Sequence, residues 1–319
     1  MYVRIKNSMG KSPEMISIVC PCHNEQDVIL LFLNRIVSVL NSIQAPYEIL
    51  CINDGSTDAT LVKLVDARNK YPQLRILNFS RNFGKEAALT AGLDHANGDV
   101  VIPIDADLQD PPELIPEMLK YWKMGYDVVH AKRANRSSDS FLKRITAKLF
   151  YKTHNKIAAT SIPENVGDFR LISKKVVEAI KLLPENQRFM KGLFAWVGFK
   201  ATAVEYDRTS RVAGKTKFSS WKLWNFALEG ITSFSTIPLR IWLYLGLSIS
   251  VLAMLYGVFI FFRTMILGID VPGYASLITS VMFLGGMQLA GIGVIGEYIG
   301  RIYMESKSRP LYIIDNKFE

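Results

Sequence analysis

The chain has 319 residues, a net charge of +9, 49% hydrophobic residues and 21% charged ones. That length holds one large α/β domain and a further module, and that balance excludes a mostly disordered chain. Three cysteines, Cys20, Cys22 and Cys51, are too few and odd in number for a disulfide framework, and four scattered histidines offer no zinc spacing, so both types read as structural.

Residues 1–14 are basic and polar with no apolar run, so they read as an N-terminal arm and not as a signal peptide. Strand and helix signals then alternate. "MISIVCP" (15–21) is a strand, followed by helical periodicity over 28–40. "YEILCIND" (47–54) precedes a helix over 59–69, and "LRILNFS" (74–80) a helix over 85–96. "DVVIPID" (99–105) and "YDVVHA" (126–131) are the fourth and fifth strands. Such alternation predicts a mostly parallel sheet covered by helices on both faces. Ligands on these sheets bind at the carboxyl ends of the strands.

Four strand ends are polar at equivalent places. The first carries Pro21, His23, Asn24 and Glu25, the second "NDGSTD" (53–58), the third "SRNFGKE" (80–86). The fourth ends in Asp105, Asp107, Asp110 and Glu113, in a chain that is otherwise basic. Asp105 and Asp107, two residues apart at a strand end, can share a divalent cation, and Mg²⁺ is commonly held by one or two carboxylates plus substrate phosphates. Pro111 and Pro112 suit the turn into the next helix.

The positive charge concentrates in 132–156, where Lys132, Arg133, Arg136, Lys143, Arg144, Lys148, Lys152 and Lys156 face only Asp139. Phe141, Leu142, Ile145 and Leu149 lie among them, a mixture that suits a helix resting on anionic headgroups. Further on, Phe218, Trp221, Leu228 and Ile231 fall near one helical face, so 218–237 reads as an interfacial amphipathic helix. Residues 241–262 and 271–296 contain no charged residue. At about 1.5 Å per residue the first run covers roughly 33 Å, enough for a bilayer core. Arg240 before the pair and Arg301, Lys307 and Arg309 after it put both ends on the cytoplasmic side. The expectation is a two-helix transmembrane hairpin over 238–304, a cytoplasmic tail over 305–319 and a soluble domain over 15–217. Spans and an acidic crevice together exclude a nucleic-acid binder.

With "PCHNE", "NDGSTDAT", "SRNFGKEAAL", "DADLQDPPE", "VGDFRLIS", "ENQRFMKGL" and "RVAGKTKFS" in place, the chain resembles family-two glycosyltransferases of GT-A fold. It is most similar to the polyprenyl-phosphate group, which includes dolichyl-phosphate mannose synthases and the bacterial undecaprenyl-phosphate glucosyltransferases that modify O-antigen. The motifs run from Pro21 to Ser219, and the two spans extend the likeness to nearly the whole chain. The Gln-x-x-Arg-Trp motif of processive polysaccharide synthases is missing, which excludes polymerisation.

The resemblance implies a Rossmann-like catalytic domain in the cytoplasm, anchored in the inner membrane. Its reaction is inverting transfer from a nucleotide sugar to a lipid phosphate. By resemblance Pro21, Asn24, Glu25 and Asp54 hold the base and ribose, Arg81 and Lys85 lie near the donor, and Asp105 and Asp107 bind Mg²⁺ or Mn²⁺ with Gln109 close by. Arg211 and Lys217 belong to a loop that closes over the donor in relatives, where Gly214 gives freedom. Arg133 and Arg144 match lipid-phosphate contacts. Asp168 stands beside the acceptor as weak base, positioning group or donor-hydroxyl contact, and Arg170 is either its ion-pair partner or a lipid-phosphate ligand. UDP-glucose and undecaprenyl phosphate are the expected substrates. GDP-mannose, a UDP-linked modified arabinose, and a non-enzymatic membrane scaffold with a decayed site are the alternatives. Relatives also form tetramers, and the small residues of the second span permit association.

Overall fold

A computed structural model of the chain describes residues 13–134, 166–186, 188, 190–206, 237–267 and 273–319. The apolar run Ile16–Cys22 forms β1, buried along almost its whole length. It leads into α1 (Ile29–Ile43), whose Ile29, Phe32, Leu33, Ile36 and Leu40 repeat at helical spacing and turn inward. β2 (Tyr47–Asn53), α2 (Thr60–Ala67), β3 (Leu74–Phe79), α3 (Lys85–His95) and β4 (Val100–Pro103) follow, then α4 (Ile115–Lys123) and β5 (Val128–Arg133). The alternation anticipated from sequence is present, with each end within a few residues of its expected place.

Beyond it come β6 (Val166–Ser173), α5 (Lys174–Lys181), α6 (Met190–Trp196) and β7 (Ala201–Tyr206). The chain then reaches two long helices, α7 (Ile237–Leu267) and α8 (Tyr274–Ser306), and ends in β8 (Ile314–Phe318). The sheet order is β7-β5-β6-β4-β1-β2-β3-β8. β4, β1, β2 and β3 are mutually parallel, and β5 pairs parallel with β7. β6 runs antiparallel between β4 and β5, and β8 antiparallel beside β3. The sheet is therefore mixed though mostly parallel.

Two apolar layers flank it. Side chains of α1, α2 and α4 close one face, and those of α3, α5 and α6 the other. α3 lies directly on the strands. A Cβ at Gly92 would stand 2.1 Å from Val19 Cγ1, so any larger residue pushes the helix off the sheet. The three cysteine sulfurs gather in the core within 4.8 Å of one another, all free and buried.

The hairpin expectation is met in part. α7 and α8 span 31 and 33 residues. Among the described residues no helix is long and apolar enough to cross a membrane. The tail is not a trailing segment, because 314–318 joins the sheet. The N-terminal arm up to residue 12, Arg136 to Lys156 with Arg144, the loop of Arg211 and Lys217, and the amphipathic segment up to residue 236 lie outside the described residues.

Candidate active site

The carboxyl ends of β1, β2, β3 and β4 meet at one edge, and the polar clusters of the sequence meet with them. Asn24 adopts φ 55°, which folds the turn after β1 toward the loop after β2. There Asn24 N donates to Ser56 Oγ at 3.0 Å and Asn24 Oδ1 accepts from Thr57 N at 2.8 Å. Glu25 N donates to Thr60 Oγ1 at 2.9 Å, and His23 Nδ1 donates to the Asp54 carbonyl at 2.8 Å. The turn "PCHNE" and the turn "NDGSTD" are thus one hydrogen-bonded unit.

Asp54 is 3% exposed. One carboxylate oxygen accepts from Phe83 N at 2.7 Å and the other from Gly84 N at 3.0 Å. Its visible task is to hold the loop before α3, where the free amides of the helix start need acceptors. Both oxygens are engaged and covered. Gly55, at φ 59°, allows the close approach, since a Cβ there would lie 2.4 Å from the Arg81 backbone. Arg81 itself is exposed, its guanidinium 4.0 Å above the Phe83 ring and its Nη1 donating to Asn82 O.

After β4 the chain makes a sharp turn with Leu108 at φ 55°, a conformation branched or bulky residues seldom take. Such strain collects at functional sites. Asp107 Oδ1 accepts from Gln109 N at 3.1 Å inside this turn, and Asp107 is 8% exposed. Asp110 accepts from the Tyr206 hydroxyl, which ties the turn to the end of β7. Glu113 forms a two-pronged ion pair with Arg35 at 2.7 and 2.9 Å, and so closes the turn from outside.

Lys85 sits at the centre. Its Nζ lies 2.7 Å from Asp105 Oδ1 and 2.6 Å from Asp168 Oδ2. Burial opposes its charge, but the two carboxylates outweigh burial and hold its pKa well above the ordinary lysine range. Asp168 comes from β6, which only a strand antiparallel to its neighbours brings to this edge. Burial raises its pKa, and Lys85, Lys191 and Arg170 together hold it well below the carboxylate range. A carboxylate so stabilised is a weak proton acceptor, which favours positioning over base among the roles left open.

Arg170 is 1% exposed. Its guanidinium donates to Gly167 O at 2.7 Å and Asp168 O at 3.2 Å and stacks 4.3 Å over Phe194. A buried group so committed acts as a brace beneath Asp168. Arg133 ends β5 next to Gly167, where a Cβ would stand 3.9 Å from Nη2. Its Nε has no hydrogen-bond partner among the described residues.

Two participants escaped the sequence reading. Glu86 accepts from Met190 N at 3.2 Å, and burial together with the nearby Asp168 charge pushes it up to about 7. Tyr206 holds Asp110. Glu86 adjoins Lys85 in "GKEAAL", so its place in the motif was the available signal; Tyr206 carried none. Pro21 and Gln109 lie at the rim of this edge, half-buried.

Glycosyl transferase family 2 matches residues 17–181, and the GtrB C-terminal hairpin matches 237–302. A bactoprenol glucosyl transferase of Shigella phage SfV is 56% identical over 95% of this chain and 98% of its own. A prophage bactoprenol glucosyl transferase homolog of Escherichia coli K12 is 55% identical over 94% of this chain and 98% of its own. A glycosyltransferase of Synechocystis sp. is 54% identical over 94% of this chain and 95% of its own. With a GT-A sheet that brings Lys85, Asp105 and Asp168 to one edge, the chain belongs to glycosyl transferase family 2 and carries the GtrB-type C-terminal hairpin.

Proposed function

We propose that the protein transfers glucose from UDP-glucose to a polyprenyl phosphate, undecaprenyl phosphate in a bacterial membrane, with inversion at the anomeric carbon. The observation that carries this reading is the meeting of Lys85, Asp105 and Asp168 at the carboxyl edge of the sheet. The likeness to bactoprenol glucosyl transferases over nearly the whole chain supports the same donor and acceptor classes.

Asp105 and Asp107 fit a divalent cation. They offer hard oxygen donors two residues apart, Asp105 partly exposed and paired with an ammonium, Asp107 buried. Mg²⁺ or Mn²⁺ held there would neutralise the charge that develops on the leaving diphosphate. Lys85 contributes positive charge at the same place. A phosphate monoester with a second pKa near 6 is already anionic at neutral pH, so the acceptor needs little help from a base. Asp168, fixed by Arg170 from below and Lys85 from the side, orients the groups that react. Much of the rate then comes from positioning and from preorganised charge. Arg133, beside Gly167 on the Asp168 side, takes the acceptor phosphate, with Arg144 joining it from the basic segment. Arg211 and Lys217 close over the donor, and Asn24, Glu25 and Arg81 line the nucleotide side.

The C-terminal helices serve as a bilayer anchor, with the catalytic domain and both termini in the cytoplasm. α7 and α8 are about 46 and 50 Å long at 1.5 Å per residue, more than the roughly 30 Å hydrocarbon core. Leu252, Leu255, Phe259, Phe283 and Ile292 stand exposed along them, as lipid-facing side chains do. The deciding experiment is sugar transfer by full-length protein in detergent to undecaprenyl phosphate, with UDP-glucose, UDP-galactose, UDP-N-acetylglucosamine or GDP-mannose, and with Mg²⁺, Mn²⁺ or EDTA. Metal-dependent glycolipid from UDP-glucose is expected. Product from GDP-mannose alone would reassign the sugar, and neither product nor UDP binding would overturn the transferase reading.

A further inference from the structure

The segment after α8 returns to the catalytic domain. β8 lies along the edge strand β3 with Ile76 opposite Phe318 and Asn78 opposite Asn316, and Ser80 N donates to Ile313 O at 3.1 Å. An edge strand otherwise leaves its amides unpaired. Side chains fasten the contact at both ends. Arg75 meets Glu319 at 2.9 Å, and the Tyr312 hydroxyl donates to Asp94 at 2.9 Å.

From this strand two threads run to the nucleotide side of the site. Tyr312 stacks on Phe79, with ring centroids 5.2 Å apart and planes 11° from parallel. Phe79 meets Phe83 edge to face at 5.7 Å. Phe83 in turn donates its N–H to Asp54 and carries the Arg81 guanidinium on its ring. The second thread is polar: Asn78 donates to Asp315 at 3.4 Å and accepts from Asn53 at 2.7 Å, the residue before Asp54. Residues 80–84 form no helix or strand, so their shape depends on these neighbours.

We propose that the C-terminal segment 312–319 is a positioning element of the donor site, with Tyr312 as its positioning residue. Docked on β3, it holds the 80–84 loop in the form that receives the nucleotide sugar. The segment leaves α8 only six residues before Tyr312, so the same contact ties donor binding to the seating of the catalytic domain on its hairpin. Asn186 N, which donates to Glu305 at 2.9 Å, adds a second tie between the helix and the domain. The proposal rests on the nucleotide-sugar reading of the site.

The test uses full-length protein in detergent, with UDP for binding and UDP-glucose for turnover. Tyr312→Ala is expected to raise the UDP Kd and the UDP-glucose KM about tenfold, the upper range of one aromatic pair. Its kcat and its KM for undecaprenyl phosphate should stay within about twofold, since an element that acts only on donor binding leaves the later step alone. Tyr312→Phe keeps the stack and should restore the donor KM. A chain ending at residue 311 should show at least the alanine effect. Donor KM unchanged in that truncated chain, or a fall in kcat and both affinities that phenylalanine does not rescue, would overturn the proposal. Wild-type protein that binds no UDP would overturn the nucleotide reading and this proposal together; equal binding by wild type and both tail variants would overturn this proposal alone.

Discussion

The two halves of the site are built by different means. On one side, the turns after β1 and β2 are held by hydrogen bonds between side chains and backbone, from Asn24, Ser56 and Thr60, and the turn after β3 by backbone amides donating to Asp54. On the other side, Asp168, Lys85, Lys191 and Arg170 interact through charge. A lattice of backbone bonds fixes a shape and changes little with pH. A charge cluster fixes a balance, and any change in one member falls on all the others. Asp105 stands where the halves join, bonded to Lys85. Substitutions should therefore act most strongly at the junction, next in the charge cluster, and least in the peripheral members of either half.

Asp105→Asn tests the junction. It removes an anionic partner of Lys85 and half of the proposed cation-binding pair. The expected loss in kcat is on the order of 10³-fold, comparable to deleting a principal electrostatic stabiliser. The fold should survive, since Asp105 is a surface carboxylate at a strand end. Steady-state kinetics with Mg²⁺ in excess, beside circular dichroism, measure both. Turnover within a factor of a few of wild type would remove Asp105 from the machinery.

Asp168→Asn leaves Lys85, Lys191 and Arg170 without their common anion. A fall in kcat of about 10²-fold with unchanged UDP affinity is expected, the lower range for a group that contributes directly to the chemical step. The pH profile separates the remaining roles. A positioning carboxylate held well below its ordinary range stays ionised, so it puts no acid limb on wild-type kcat between about pH 6 and 8. An acid limb that vanishes in the variant would restore Asp168 to the role of base.

The same contrast explains what the sequence made legible. The parallel strands β1 to β4 were readable because each is an apolar run bounded by turn residues, and because their polar ends repeat at equivalent places. β6 was not readable as a strand from periodicity, since Gly167, Asp168 and Arg170 interrupt its apolar pattern; the motif pointed to it only by resemblance. Its antiparallel course depends on tertiary pairing with both β4 and β5. β8 was hidden for a similar reason, because "IDNKF" is mostly polar and is a strand only against β3. Asp105, Lys85 and Asp168 were found as residues, but their mutual contact was not, since 63 positions separate Asp105 from Asp168. The burial of Asp54 and Arg170 was not legible, because a sequence shows charge and hides burial.

Asp54→Asn probes the hydrogen-bonded half. Asparagine offers one acceptor oxygen in place of two, so either Phe83 N–H or Gly84 N–H loses its partner. Leaving one such buried donor unsatisfied costs about 1–3 kcal/mol. Thermal unfolding should shift downward and the donor KM should rise, while kcat at saturating donor falls by less than in either acidic variant above. An unchanged donor KM with lowered stability would confine Asp54 to the fold.

The smallest effect belongs to Glu86, at the edge of the charge cluster. Burial and the Asp168 charge raise its pKa from 4.5 to about 7. An acid whose folded pKa lies above its unfolded one stabilises the fold while it is protonated. That contribution is complete below about pH 4.5 and is lost as pH rises toward 7. Glu86→Gln keeps an acceptor for Met190 N and removes the charge. The variant and wild type should then unfold at nearly the same temperature near pH 5. At pH 8 the variant should be the more stable by about 2 °C, the shift that roughly 1 kcal/mol produces in a domain of this size. Thermal scans of both proteins in EDTA at the two pH values measure the difference. A variant less stable than wild type at pH 8 would mean that ionised Glu86 is a net partner of Lys85 and Lys191, and that the charge-balanced half extends as far as α6.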